Sequence, residues 1–279
     1  MITQPPERSR MVAAIFDRVA ASYDTVGVPW FRPIAERLVR ELAPAPGERA
    51  LDIGSGRGAV LFPLAEAVGP TGHVTGIDLA QGMVDALRAD VASQALGNVD
   101  VLTQDAADPD LDPASFDLIA SSLVLFFLPD PAAALRRWHD LLVPGGRIGV
   151  SSFGPRDANF FAVDDVFTPF LPAQMLDARA SGTAGPFASD AGMEELLAAA
   201  GFVDVRTVGL QVDAVFRDAE HWTEWSWSHG QRAMWAAIPE DRHAEVQAKI
   251  AQVLEAARDD AGTITLRQQV RYTLARRHD

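Results

Sequence analysis

The chain has 279 residues, 48 % of them hydrophobic and 22 % charged, with a formal net charge of −14 and no cysteine. The length suits one large domain with additions. The acidic balance speaks against nucleic acid or an anionic membrane surface as partner, since both need a basic patch. Without cysteine there are no disulfides, thiol nucleophiles or thiolate metal sites. No run reaches the roughly 18 apolar residues of a membrane span, and residues 1–10 lack the apolar core of a signal peptide, so a cytoplasmic protein is expected.

Residues 1–10 read as a loose tail. From Met11 to Tyr23 the pattern is helical, with Val12, Ile15, Phe16 and Val19 on one face. Gly27 to Pro29 break it, and Pro33 can sit in the first turn of a second helix running to about Leu42. Pro44-Ala45-Pro46-Gly47 is a linker, so the expected boundary falls at 46: a helical unit over 1–46, then a domain over 47–279. Strands are expected at Arg49–Ile53, His73–Ile77, Val99–Leu102, Phe116–Leu123 and Arg147–Phe153. Helices are expected between them at about 59–68, Gln81–Gln94 and Pro131–Leu142, with a turn at Pro144-Gly145-Gly146. This alternation predicts a parallel sheet covered on both faces.

The rhythm then breaks. Residues 154–189 show no clean period, and a helix returns over Met193–Ala200. In Phe202–Phe216 the apolar phase runs 203 and 205, then 208, 210, 212 and 214, which predicts a bulge near Arg206 to Gly209. A tryptophan-rich helical stretch follows over about 217–260. Residues 263–274 alternate cleanly, as in a half-buried strand of an antiparallel pair.

The chemistry concentrates at Asp52-Ile53-Gly54-Ser55-Gly56-Arg57-Gly58, where a strand runs into a glycine turn below a helix N-terminus. Glycine lets backbone approach a ligand where a Cβ would clash, and the helix start offers free N–H groups. The turn also fits the dinucleotide pattern G-x-G-x-x-G/A, with Asp78 as the acid about 20 residues on. Three features speak against that reading. Asp52 sits where it would repel a pyrophosphate, a further acid, Asp105, follows the third strand, and the final strands look antiparallel.

In these residues the chain resembles the class I S-adenosylmethionine-dependent methyltransferases, in particular those acting on small molecules, quinone precursors and natural products of secondary metabolism. The resemblance rests on Asp52-x-Gly54-x-Gly56-x-Gly58, Asp78, Asp105-Ala106, Ser121-Ser122-Leu123 and Leu142-Val143-Pro144-Gly145-Gly146. It rests also on the opening Phe16-Asp17-Arg18-Val19-Ala20-Ala21-Ser22-Tyr23-Asp24. It implies an α/β, Rossmann-like fold: a seven-stranded, mostly parallel sheet whose last strand is antiparallel, an N-terminal helical lid, and an inserted helical cap over about 154–189 and 217–260. The implied cofactor is S-adenosylmethionine, held by Tyr23, Asp52, Gly54, Ser55, Gly56, Gly58, Asp78, Leu79, Met83, Asp105, Ala106 and Ser121. The implied reaction is in-line methyl transfer to a small, largely apolar acceptor at oxygen, nitrogen or carbon.

Phe153, Trp222, Trp225 and His229 are the candidate acceptor contacts, and His229, His221 and Tyr23 the candidate bases. No metal is expected, and a homo-oligomer is compatible with the sequence. Two alternatives stand at this point: a nicotinamide-dependent oxidoreductase on the same glycine turn, and a non-catalytic S-adenosylmethionine-binding protein.

Overall fold

The computed structural model describes residues 6–173, 175–176 and 183–278. Two helices, α1 (Glu7–Val19) and α2 (Phe31–Leu42), precede the sheet. Then β1 (Arg49–Ile53), α3 (Leu61–Val68), β2 (His73–Asp78), α4 (Gln81–Ser93), β3 (Val99–Thr103), β4 (Phe116–Ser122), α5 (Pro131–Leu141) and β5 (Leu142–Arg156) alternate. The chain closes with α6 (Ala158–Phe167), α7 (Asp190–Ala199), β6 (Val203–Phe216), α8 (Ala219–Trp227), α9 (Arg232–Ala236), α10 (His243–Ala256) and β7 (Ile264–Arg276).

The seven strands lie in the order β3-β2-β1-β4-β5-β7-β6. Strands β1 to β5 pair in parallel, and β7 runs antiparallel between β5 and β6. The central strands are apolar because helices cover both faces: Leu51, Ile53, Leu118, Ile119, Ile148 and Val150 are all buried. The two N-terminal helices are seated differently. Ile34, Leu38 and Leu42 of α2 belong to the main core. The end of α1 joins only a small separate cluster of Val19, Ala20, Ala80 and Met83.

Boundaries differ from expectation in several places. Helix α1 spans Glu7–Val19, four residues earlier at each end than the 11–23 expected, so it takes in part of the segment read as a tail. Strand β5 begins at Leu142 rather than Arg147, because the Pro144-Gly145-Gly146 segment is a bulge against β4: Phe116 pairs with Leu142 but Leu118 with Arg147. The irregularity in β6 lies between Val203 and Arg206, around Asp204 at φ +53°, earlier than the 206–209 expected. The reason is that β6 is the edge strand. Only Val212, Ala214 and Phe216 are buried, so the phase of its first half is not set by the core.

The tryptophans of the late helices divide. Trp222 and Trp235 pack with Phe167 in the interior, and Trp227 stacks on Trp235 at 5.5 Å and 12°. Trp225 faces the other way, toward Trp30.

Candidate functional site

The carboxyl ends of β1, β2 and β4 open onto a cavity of about 2230 Å³, the place where open α/β sheets bind ligands. One half is made by the turn after β1. Gly54, Gly56 and Gly58 have φ of +75°, +49° and +82°, a region costly for other residues. A Cβ on Gly54 would overlap the Val124 side chain, whereas one on Gly56 would meet nothing within 4 Å. The turn is pinned to the end of β2: Gly54 and Ser55 N–H donate to the Ile77 carbonyl at 2.8 and 2.9 Å. Gly56 N–H donates to Asp78 Oδ2 and Ala80 N–H to Oδ1, each at 2.9 Å.

Asp78 therefore keeps acceptor capacity that faces the cavity. Burial raises its pKa, partly offset by the N–H groups of Ala80, Gly56 and Leu79. Asp52 is 1 % exposed, and its Oδ2 has no partner. Burial, with the Asp78 charge second, pushes its pKa up to about 8, although the Leu61 N–H works against this. Ser55 Oγ is buried and unpaired as well. Orphaned buried oxygens are costly until a donor reaches them, and an ammonium does so for a carboxylate. This set of acceptors fits the ammonium of the amino-acid end of S-adenosylmethionine.

Leu79, Met83, Asp105 and Ala106 line the same half of the cavity. Asp105 Oδ1 accepts from Ala107 N–H at 2.9 Å, and the Ala106 carbonyl accepts from Trp138 Nε1 at 2.8 Å, which fixes that loop. Tyr23 stacks on Phe31 at 4.7 Å and meets Phe16 edge-on at 6.2 Å. Burial, then the charges of Asp24 and Asp78, raise its hydroxyl pKa, so Tyr23 stays protonated and is a donor rather than a base. Ser121 stands outside the cavity. Its hydroxyl donates to the Ile53 carbonyl at 3.0 Å, tying β4 to β1. Successive strand residues face opposite ways, and it is Ser122 that lines the cavity.

The other half is aromatic. Trp30, Phe31, Phe126, Phe153, Phe160 and Trp225 line it together with His229. Phe126 and Phe153 lie 5.6 Å apart, Trp30 and Trp225 5.8 Å, and the Trp225 and His229 rings 4.3 Å. Burial pushes the His229 pKa down to about 4, with the Ser226 carbonyl opposing, so this imidazole is neutral at pH 7. A polar station sits among the rings: Arg156 pairs with Asp164, whose other oxygen accepts from Gln231 Nε2 at 3.2 Å.

Two expected contacts are not brought here. Trp222 is fully buried against Phe167 and Trp235, because its helix face turns into the core. His221 is spent structurally: Nδ1 accepts from Arg217 N–H at 3.4 Å and Nε2 donates to the Val26 carbonyl at 3.1 Å, the tautomer following from those partners. With both ring nitrogens engaged and no place on the cavity wall, it cannot serve as a base. The sequence reading missed Trp30, Phe31 and the pair Phe126-Phe127. The signal for the latter was present: two adjacent phenylalanines directly after a buried strand, at its carboxyl end.

Known proteins bear the same marks. Residues 50–146 match the family described as methyltransferase domain. The chain is 39 % identical over 275 residues to nocamycin O-methyltransferase of Saccharothrix syringae, covering 94 % of this chain and 97 % of that protein. It is 41 % identical over 174 residues to an aklanonic acid methyltransferase of Streptomyces sp. (strain C5), covering 62 % and 79 %. Among solved structures, phosphoethanolamine N-methyltransferase 2 of Haemonchus contortus with S-adenosyl-L-methionine aligns at a TM-score of 0.62 and 16 % identity, over 99 % of this chain and 61 % of that one. The [4+2]-cyclase SpnF aligns at 0.57 and 18 %, over 99 % and 97 %. These structural likenesses concern the fold alone, and one fold hosts several chemistries.

Proposed function

The chain belongs to the S-adenosylmethionine-dependent methyltransferases of small molecules, and on that premise we propose that its acceptor is a largely apolar compound methylated on an oxygen acidic enough to ionise unaided. The observation that carries this is the make-up of the cavity: an acid-bearing glycine turn and an aromatic wall share one space of about 2230 Å³. Family membership sets aside the nicotinamide alternative, for which Asp52 and Asp105 had no use.

When bound, S-adenosylmethionine supplies a methyl group already activated on a sulfonium and open to in-line displacement. The protein contributes binding, alignment and exclusion of water. In this reading Asp52 holds the ammonium and Asp78 accepts from the ribose hydroxyls. Asp105 and the Ala106 N–H face the adenine edge, and Met83 packs on its ring. Trp30, Phe126, Phe153 and Trp225 hold the acceptor by apolar contact.

Oxygen is favoured because the relative that matches nearly end to end is named an O-methyltransferase. An acidic oxygen is favoured because the candidate bases of the wall are weak or engaged: Asp164 is held by Arg156 and Gln231. His229, with a pKa near 4, removes a proton from an ordinary alcohol poorly, and Tyr23 holds its own proton. A second relative is named for an acid. The test is a mass-spectrometric screen for the gain of one methyl group, with aromatic carboxylic acids, phenols and enols in one arm and apolar alcohols and amines in the other. Methylation confined to the first arm is expected. Turnover confined to the second would sink the reading.

A further inference from the structure

In the opening segment Phe16 to Asp24, Tyr23 is not the one residue that reaches the cavity end of the sheet. The structure gives its other residues a shared task. Helix α4, which follows Asp78, begins without a cap of its own: Ala80 holds the N-cap position and no side chain there accepts a bond. The N–H of Gly82, second in the helix, instead donates to Asp17 Oδ1 at 2.8 Å. Asp17 belongs to α1, so one helix carries the cap that another lacks.

The glycine turn makes a second connection. Arg57, between Gly56 and Gly58, donates from Nη1 to the Ala20 carbonyl at 2.7 Å and from Nη2 to Asp90 at 2.6 Å. Ala20 is the C-cap of α1, where a cation satisfies an orphan carbonyl and the helix dipole together. Between these two bonds Val19 and Ala20 pack on Ala80 and Met83, apart from the main core. Beyond them Phe16 meets Tyr23 and Phe127 edge-on at 6.2 and 5.7 Å. Along α1 only Ser9 and Val19 are buried. A helix with so little buried surface belongs to the part of a structure that opens at low cost.

We propose that Asp17 and Arg57 are positioning residues that clasp α1 to the start of α4 and to the glycine turn, so that Phe16 and Tyr23 are held over the cofactor end of the cavity. The clasped elements are the ones that present Asp78 and Met83. Cofactor binding orders them, ordering them strengthens the clasp, and by reciprocity the clasp slows loss of the cofactor. The proposal rests on the cofactor reading of the cavity and is independent of the acceptor.

The probe is S-adenosylhomocysteine, followed by its dissociation rate and by hydrogen exchange of residues 7–20 in the full chain. It is expected to protect those residues in the wild type. Asp17→Ala is expected to release the ligand about fivefold faster, the size of a lost N-cap, and to lose the protection. Asp17→Asn keeps an accepting oxygen but not the charge, and asparagine caps as well as aspartate, so it is expected to stay within about twofold of wild type. Arg57→Met should act in the same direction as Asp17→Ala. Three results overturn the clasp: wild-type release from Asp17→Ala, equal damage from Asp17→Asn and Asp17→Ala, or binding that leaves exchange in residues 7–20 unchanged. Failure of the wild type to bind S-adenosylhomocysteine at all would remove the cofactor reading, and the clasp with it.

Discussion

Asp52, Gly54, Ser55, Gly56 and Gly58 reach the cavity from one short stretch of chain, and backbone N–H groups and φ angles do most of the shaping. Trp30, Phe31, Phe126, Phe153, Phe160 and Trp225 reach it from the start of α2, the segment after β4, the end of β5, α6 and α8, and side chains alone make that wall. The difference teaches which half tolerates change. A turn defined by backbone geometry fails with one added carbon. A wall of large rings loses contact area piece by piece, so on the proposed reading a change there alters the choice of acceptor and spares the cofactor half.

Gly54→Ala puts the sharpest strain on that contrast. A side chain at φ +75°, driven into Val124, costs on the order of 3 kcal/mol between left-handed strain and overpacking, or about 100-fold in cofactor affinity. Calorimetry with S-adenosylhomocysteine checks it, and near-wild-type affinity would mean that the turn is not what defines the cofactor half.

The next effect is one of pH. The Asp52 carboxyl, pushed up to about 8, holds a proton at neutral pH, while an ammonium ligand needs the carboxylate. Binding must then expel that proton, and affinity rises with pH up to about 8, by at most tenfold per unit. Titrations at pH 6 and 8 in buffers of different ionisation enthalpy should show the release. Asp52→Asn should bind more weakly and without this slope; a persisting slope would assign the proton elsewhere.

Trp225→Leu approaches the comparison from the aromatic side. It is expected to raise the acceptor KM about tenfold by lost ring contact, while leaving affinity for S-adenosylhomocysteine within twofold. Equal losses on both would show that the two halves are one mechanical unit. The smallest effect belongs to His229→Gln: because the imidazole is neutral across the physiological range, kcat should fall less than about threefold and the pH profile should keep its shape. A large fall at neutral pH, with loss of the acid limb near pH 4, would restore His229 as a base.

The same contrast explains what could be read in the sequence. That Asp52 to Gly58, Asp78 and Asp105-Ala106 meet at one cavity was legible because each stands at or just past the end of a strand in an alternating fold. The alternation of strands and helices and the antiparallel close were legible for a like reason, since period and polarity are local. The aromatic wall was legible only as composition. Trp222 and Trp225 lie three residues apart on α8, yet one is in the core and the other on the cavity, and nothing local decides which. Ser121 was misplaced by one pleat, and His221 was taken for chemistry although two backbone groups consume it. The part of Asp17 was hidden because its partner, Gly82, lies across the fold and contributes only backbone.

The placement of β7 between β5 and β6 has a consequence for how the molecule is made. As the chain leaves the ribosome, β6 emerges with no strand to pair with, and it waits through three helices for the segment that joins it to the sheet. A polypeptide stopped short of Ile264 therefore forfeits two strands, not one. It would also leave the flank of β5, and with it Phe153, without its neighbour Val270. The aromatic wall at Phe153 thus leans on a strand made after every other strand of the sheet.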